Sequence, residues 1–121
     1  MNITRRQNPL LTSGFAFCFA KQGGFMYKIV IDSCGELPEE LKQDGHYETV
    51  SLELEVDGCR IKDDSTFNQL DFLRRVKESL KGPKSSCPSP EQYMDAYEGE
   101  ADHVYAVTLS GGLSGSYNSA V

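Results

Sequence analysis

The apolar positions change period several times between residues 26 and 121, and each change marks an element. Residues 28–31 are a short β-branched run that stops at Asp32-Ser33-Cys34-Gly35, as a buried strand does where it enters a loop. Leu37 and Leu41 stand four residues apart with Pro38 in the first turn and Gly45 just beyond, which predicts a short helix over residues 36–43. From Val50 the alternation is clean: Val50, Leu52, Leu54 and Val56 on one face, Ser51, Glu53, Glu55 and Asp57 on the other. This predicts one strand covering one side of a core. Asp57-Gly58 signals a two-residue hairpin, after which Cys59 and Ile61 continue the apolar face while Arg60 and Lys62 lie opposite the acids.

Ser65 or Thr66 is expected to cap a helix with apolar positions Phe67, Leu70, Leu73, Val76 and Leu80, ended by Gly82-Pro83, with Arg74, Arg75 and Lys77 facing water. A loop over residues 84–88 leads to Ser89-Pro90-Glu91, a capping serine with proline at the first helical position. Tyr93, Met94 and Tyr97 are the expected buried side of that helix. Residues 103–109 read as a buried strand that runs into a Gly/Ser turn and the first turn of another helix. Alternating strands and helices imply an α/β domain, a largely parallel sheet flanked by helices, with a β-hairpin added. An α/β unit also needs the crossover helix and the next strand, so a C-terminally truncated domain is expected.

Charge divides the chain. Of 12 basic and 18 acidic side chains, residues 1–25 hold three bases and no acid, which leaves nine bases and all 18 acids to residues 26–121. The net charge of −6 removes the basic stripe that nucleic acid requires and disfavours acidic membrane surfaces. Arg5 and Arg6 before the apolar stretch over residues 10–20 admit two readings. One is a secretory signal, too short to span a membrane, which would make the protein secreted. The other, which we favour, is a start placed too far upstream, because Met26 directly precedes the first strand of what resembles a cytoplasmic α/β protein. On either reading residues 1–25 lie outside the fold. Cys18, Cys34, Cys59 and Cys87 have no C-x-x-C spacing and no histidine at ligand spacing, which argues against zinc and for reduced thiols.

Two segments carry candidate chemistry. Residues 85–89 and 110–116 each combine serine hydroxyls with a following helix start, an arrangement that favours a carboxylate or phosphate. Gly111 and Gly112 remove side chains where a ligand would approach the backbone. The competing reading is that these serines only cap and these glycines only turn. Catalytic alternatives lack their parts. Gly112-Leu113-Ser114-Gly115-Ser116 misses the G-x-S-x-G elbow at its last position, and no acid or histidine follows it. No phosphate-binding glycine loop of the usual kinds is present. Asp63-Asp64 and Glu39-Glu40 read as solvated surface, and His46 and His103 stand isolated in sequence.

Taken together, Asp32-Ser33 after the first strand, Ser85-Ser86-Cys87-Pro88-Ser89-Pro90, and the segment from Ser110 through Tyr117 to Ala120 resemble the DegV family of bacterial fatty-acid-binding proteins. The family pattern is a strand ending in Asp-Ser, a T-S-x-P-S-P loop, and an S-S-x-L-S-G-T-Y-x-S-A segment. The resemblance covers residues 26–121, including the hairpin between the motifs. It implies a non-catalytic lipid carrier in which a long acyl chain lies in an apolar tunnel and its carboxylate meets the serine loops. Some members, as the B subunit of fatty acid kinase, present that carboxylate to an ATP-using kinase partner. Carried over by motif, the head-group residues are Ser85, Ser86, Ser110, Gly111, Gly112 and Ser114, with Asp32 and Ser33 lining the site. No metal and no cofactor is implied.

Two departures from the pattern matter. Ser85 stands where the family has threonine, which keeps the hydroxyl, and Gly111 stands where it has a second serine, which removes one. The family's second domain is missing from the match, so weak lipid binding is expected of this chain by itself. The alternatives are a small-anion-binding or interaction domain, and an esterase using Ser114.

Overall fold

The computed structural model describes residues 26–121; the expectations for residues 1–25, and Cys18 with them, lie outside the described residues. In chain order the elements are β1 (Tyr27–Asp32), α1 (Glu39–Lys42), β2 (Tyr47–Val50), β3 (Glu53–Val56), β4 (Cys59–Lys62), α2 (Gln69–Glu78), β5 (Lys84–Ser86), α3 (Pro90–Tyr97), β6 (His103–Val107) and α4 (Ser116–Ala120). They build the expected α/β arrangement as a three-stranded parallel sheet, β2-β1-β6, and a three-stranded antiparallel sheet, β4-β3-β5.

In the parallel sheet, Val30 of β1 stands opposite Glu48 of β2 and Ala106 of β6. Parallel neighbours require crossovers, and α3 supplies cover by packing on β1 and β2. The result is a small core of Val30, Val50, Tyr93 and Ala96, with Tyr97 and Ala120 against it. Met94, expected among the buried residues of α3, is exposed, and Ala96 is buried instead. The Tyr93 and Tyr97 ring centroids lie 6.1 Å apart on the face that also carries Ala96, and Met94 falls on the solvent side of the helix. Ser89 caps α3 as expected, and Gln92 completes a capping box: Gln92 N–H donates to Ser89 Oγ at 3.3 Å and Ser89 N–H to Gln92 Oε1 at 2.8 Å.

The alternation from Val50 to Val56 is real, yet it does not make one strand. The chain leaves the parallel sheet at Val50 and joins the antiparallel one at Glu53, because Ser33 takes the groups between them. Ser33 N–H donates to Val50 O at 3.0 Å, and Ser33 Oγ accepts from Leu52 N–H at 3.0 Å. Val50, Leu52 and Val56 are nevertheless all buried, as the pattern requires. Asp57 and Gly58 have φ of 49° and 78°, the left-handed pair of a tight hairpin turn, and the β3–β4 register sets Glu53 opposite Lys62 and Glu55 opposite Arg60.

Three further expectations change. The cap of α2 is Asn68, whose side chain accepts from Asp71 N–H at 3.0 Å, because the Asp64 carboxylate has taken both the Thr66 N–H and its hydroxyl. Residues 84–86, expected as loop, form the short edge strand β5 against β3. Strand β6, expected to be buried, is exposed along its length, since it is an edge strand paired with β1 while α3 packs over β1 and β2. No helix among the described residues is long and apolar enough to cross a membrane.

Candidate functional site

Strand β1 is where the strand order turns, with β2 on one side and β6 on the other. In an open α/β sheet, the crevice beyond the carboxyl ends of strands at such a turn is where ligands bind. Asp32-Ser33 and the segment from Ser110 both leave the sheet at that edge. Asp32 is buried, and its Oδ2 accepts the Leu109 N–H at 2.6 Å. One dipeptide therefore holds the exit of β6 through Asp32 and the crossing between sheets through Ser33. Their side chains serve the backbone that frames the site.

Ser85 and Ser86 are exposed on β5, opposite Leu54 and Glu53 of β3 respectively. Directly opposed residues in an antiparallel pair share a face. Ser85 therefore shares the apolar side with Leu54 and Ile61, and Ser86 the charged side with Glu53 and Lys62. Beyond them Cys87 is half-buried and Pro88 is buried, which anchors the segment before the α3 cap.

Ser110 organises the second loop from within. Its carbonyl accepts from Leu113 N–H at 2.8 Å and Ser114 N–H at 3.0 Å, and its hydroxyl accepts from Gly112 N–H at 3.3 Å. Those three backbone donors are engaged within the loop, and the serine hydroxyls are further donors that could meet an anion. Gly111 lies under the Tyr117 ring; a Cβ there would stand 3.2 Å from Cδ1. Ser114 Oγ contacts Ser116 Oγ at 3.2 Å and accepts from Ser116 N–H at 3.2 Å. Ser116 is fully buried.

The two segments adjoin. A Cβ built on Gly115 would fall 2.9 Å from Cys87 Sγ, and that sulfur is 3.9 Å from Ser119 Oγ. Behind this contact lies Tyr93, fully buried, whose hydroxyl has no hydrogen-bond partner of adequate geometry. Burial pushes its phenol upward; the nearby Ser116 hydroxyl acts against this, and Asp32 adds to it. Pattern reading takes Tyr93 for a core residue and has no signal for the polar atom at its tip.

Ser114 has no histidine within reach. His46 precedes β2 and His103 begins β6, so both stand at the amino edge of the parallel sheet, a strand length of about 13 Å from the carboxyl edge where the second serine loop begins. His46 is paired with Asp44 at 2.6 Å and stacked on Tyr27 at 4.5 Å. The described residues contain no group of three or more His, Cys, Asp or Glu suited to a metal. Cys34, Cys59 and Cys87 are free thiols, and burial, then Asp32 and Asp63, push the Cys34 thiol upward. Two open hollows around Asp57, one reaching Lys81 and Lys84 and the other Arg75 and Glu78, include no residue of the second serine loop.

Known proteins of similar sequence and fold agree with one another. A solved DegV family protein from Ruminococcus gnavus, refined with vaccenic acid, is 46% identical with a TM-score of 0.75, covering 79% of this chain and 34% of its own. A DegV family protein from Thermus thermophilus, described for fatty acid binding, is 33% identical with a TM-score of 0.68, covering 79% and 35%. The fatty acid kinase (Fak) B3 protein of Streptococcus pneumoniae, loaded with linoleic acid, is 31% identical with a TM-score of 0.67, covering 79% and 34%. In sequence, a DegV domain-containing protein of Streptococcus pyogenes serotype M3 is 38% identical over 96 residues, 78% of this chain and 34% of the relative. The chain thus spans about a third of the length of the relatives it matches. The family model described as "Uncharacterised protein, DegV family" matches residues 26–121, and the chain belongs to the DegV family.

Proposed function

We propose that residues 26–121 supply the serine-loop part of a fatty-acid site, in which hydroxyls of Ser85, Ser110 and Ser114 hold the carboxylate while Ser86 stands on the opposite face of its small sheet. Gly111 and Gly112 let the head group approach the second loop, and Asp32 and Ser33 hold the frame. The observation that carries this reading is the contact of Cys87 with Gly115, which sets the first serine segment beside the second at the carboxyl edge of the parallel sheet. Hydroxyls bind a carboxylate without adding charge, and Ser85 lies on the same side of its sheet as Leu54 and Ile61, where an acyl chain would begin. Relatives refined or loaded with vaccenic and linoleic acid support the choice of guest. On this reading the protein carries a fatty acid and presents it to an ATP-dependent fatty acid kinase, without catalysing a reaction itself. The likeness to a fatty acid kinase B3 protein supports that partner.

Native mass spectrometry of the natural protein that carries this chain tests the reading. A mass excess equal to a long-chain fatty acid is expected, either as purified or after incubation with oleate. An apo mass persisting under gentle conditions with oleate added would reject it.

A further inference from the structure

Tyr93 is fully exposed to neither water nor a partner: its side chain is buried among Val30, Val50 and Ala96, and its hydroxyl is unpaired. A buried hydroxyl without a partner destabilises a fold, and phenylalanine would fill the same space without that cost. On α4, which packs against α3, stands Ser116, also fully buried and near enough to act on the Tyr93 phenol, and Ser116 contacts Ser114 at 3.2 Å. The three hydroxyls make a line from the core to the second serine loop.

Its direction of donation matters. Ser114 and Ser116 share one hydrogen bond at 3.2 Å, and the Tyr93 hydroxyl stands outside it without a partner of adequate geometry. An anion at the loop would set the line in one direction, with Ser114 donating outward, Ser116 donating to Ser114 and Tyr93, after a small side-chain shift, donating to Ser116. Every hydroxyl proton then has an acceptor. The change needs rotation of hydroxyl groups and a small side-chain shift at Tyr93 or Ser116.

We propose that Tyr93 is a positioning residue of the anion site, acting through Ser116 to aim the Ser114 hydroxyl at a bound carboxylate. This rests on the fatty-acid reading above and deepens it, because it predicts discrimination between a charged head group and a neutral one on the same tail.

The test compares oleic acid with methyl oleate on the natural protein and its Tyr93→Phe, Ser116→Ala and double variants. Tyr93→Phe is expected to weaken oleic acid about three- to tenfold, leave methyl oleate within about twofold, and hold or raise the melting temperature. The double variant should lose no more than Ser116→Ala alone, since both substitutions cut one line. Equal losses for acid and ester, no loss for the acid, or additive losses in the double variant would each overturn the proposal. If the unsubstituted protein binds neither lipid, the fatty-acid reading itself fails and this inference goes with it.

Discussion

Gly115 on the second serine loop sits against Cys87 on the first, so near that a Cβ on the glycine would lie 2.9 Å from the thiol sulfur. The backbone at Gly115 is right-handed helical, with φ of −71°, so alanine is acceptable there in conformation and its cost is one of space alone. Gly115→Ala is therefore expected to destabilise by about 1–3 kcal/mol through overpacking. Removing the sulfur should restore most of the loss, so Gly115→Ala with Cys87→Ala should approach the stability of Cys87→Ala. Urea unfolding of the four proteins measures this coupling. Additive losses would mean that the loops do not meet as described.

A second prediction concerns Asp32 and the Leu109 amide, joined at 2.6 Å. Asp32→Ala leaves that N–H without its acceptor in a partly buried place and is expected to cost about 1–3 kcal/mol. Asp32→Asn keeps an oxygen at the position and should cost less. Ser33→Ala removes the acceptor of Leu52 N–H and should destabilise by about 1 kcal/mol. Denaturant unfolding separates the three, and an Asp32→Ala protein as stable as the parent would contradict the framing role.

These two dipeptide bonds also mark how far the sequence can be read. Local chemistry is legible: Asp57-Gly58 makes the hairpin, Ser89-Pro90 begins α3, and Val50, Leu52 and Val56 are buried as their alternation requires. What is not legible depends on partners distant in sequence. The alternation of Val50 to Val56 contains no sign that Ser33, 19 residues before Leu52, will take its N–H and divide one strand into two. Thr66 looks as good a cap as Asn68 until Asp64 occupies it. At the site, the serine segments are visible as motifs, whereas the meeting of Cys87 with Gly115 and the unpaired Tyr93 hydroxyl exist only in three dimensions.

Acid should weaken the fold through a few exposed carboxylates. Bonds from Arg75 and Arg74 hold Asp71 below the usual carboxylate range; backbone and side-chain bonds from His46 do the same for Asp44, and bonds from Thr66 for Asp64. A carboxylate whose folded pKa is lowered contributes stability that is fully present above its unfolded value and is lost as pH falls through the folded value. Stability is thus expected to hold from neutrality down to the unfolded value, about 3.9, and to fall below it. The Asp71 share should shrink in high salt, because its partners are exposed arginines, and Asp71→Asn should flatten the acid limb. Melting temperature against pH, at low and high salt, tests the sign.

Exposed apolar residues lead to a further expectation. Leu70, Leu73 and Leu80 on and beyond α2, and Val104, Tyr105 and Val107 on the edge strand β6, are all open to solvent, while the buried apolar residues number six among those described. An edge strand with an apolar face is a site of association. The 121-residue chain expressed alone is expected to self-associate and to bind a hydrophobic dye. Sedimentation of a monomer that unfolds cooperatively at high temperature and ignores the dye would contradict this.

The last prediction separates two adjacent serines. Ser85 and Ser86 look equivalent as hydroxyl donors, yet strand pairing sends them to opposite faces of the small sheet. Ser85 accompanies Leu54 and Ile61, and Ser86 accompanies Glu53 and Lys62. A fatty acid that lays its tail along apolar side chains reaches Ser85 with its carboxylate, whereas on the other face Glu53 repels it. Loss of a hydrogen bond to a charged group reduces affinity by about tenfold or more, so Ser85→Ala is expected to weaken oleate by that factor. Ser86→Ala should change it by less than about threefold, the effect of a neutral contact. Titration of both variants with oleate reads the difference directly. Equal losses would mean that the edge strand opens when the ligand binds and both hydroxyls turn to one carboxylate.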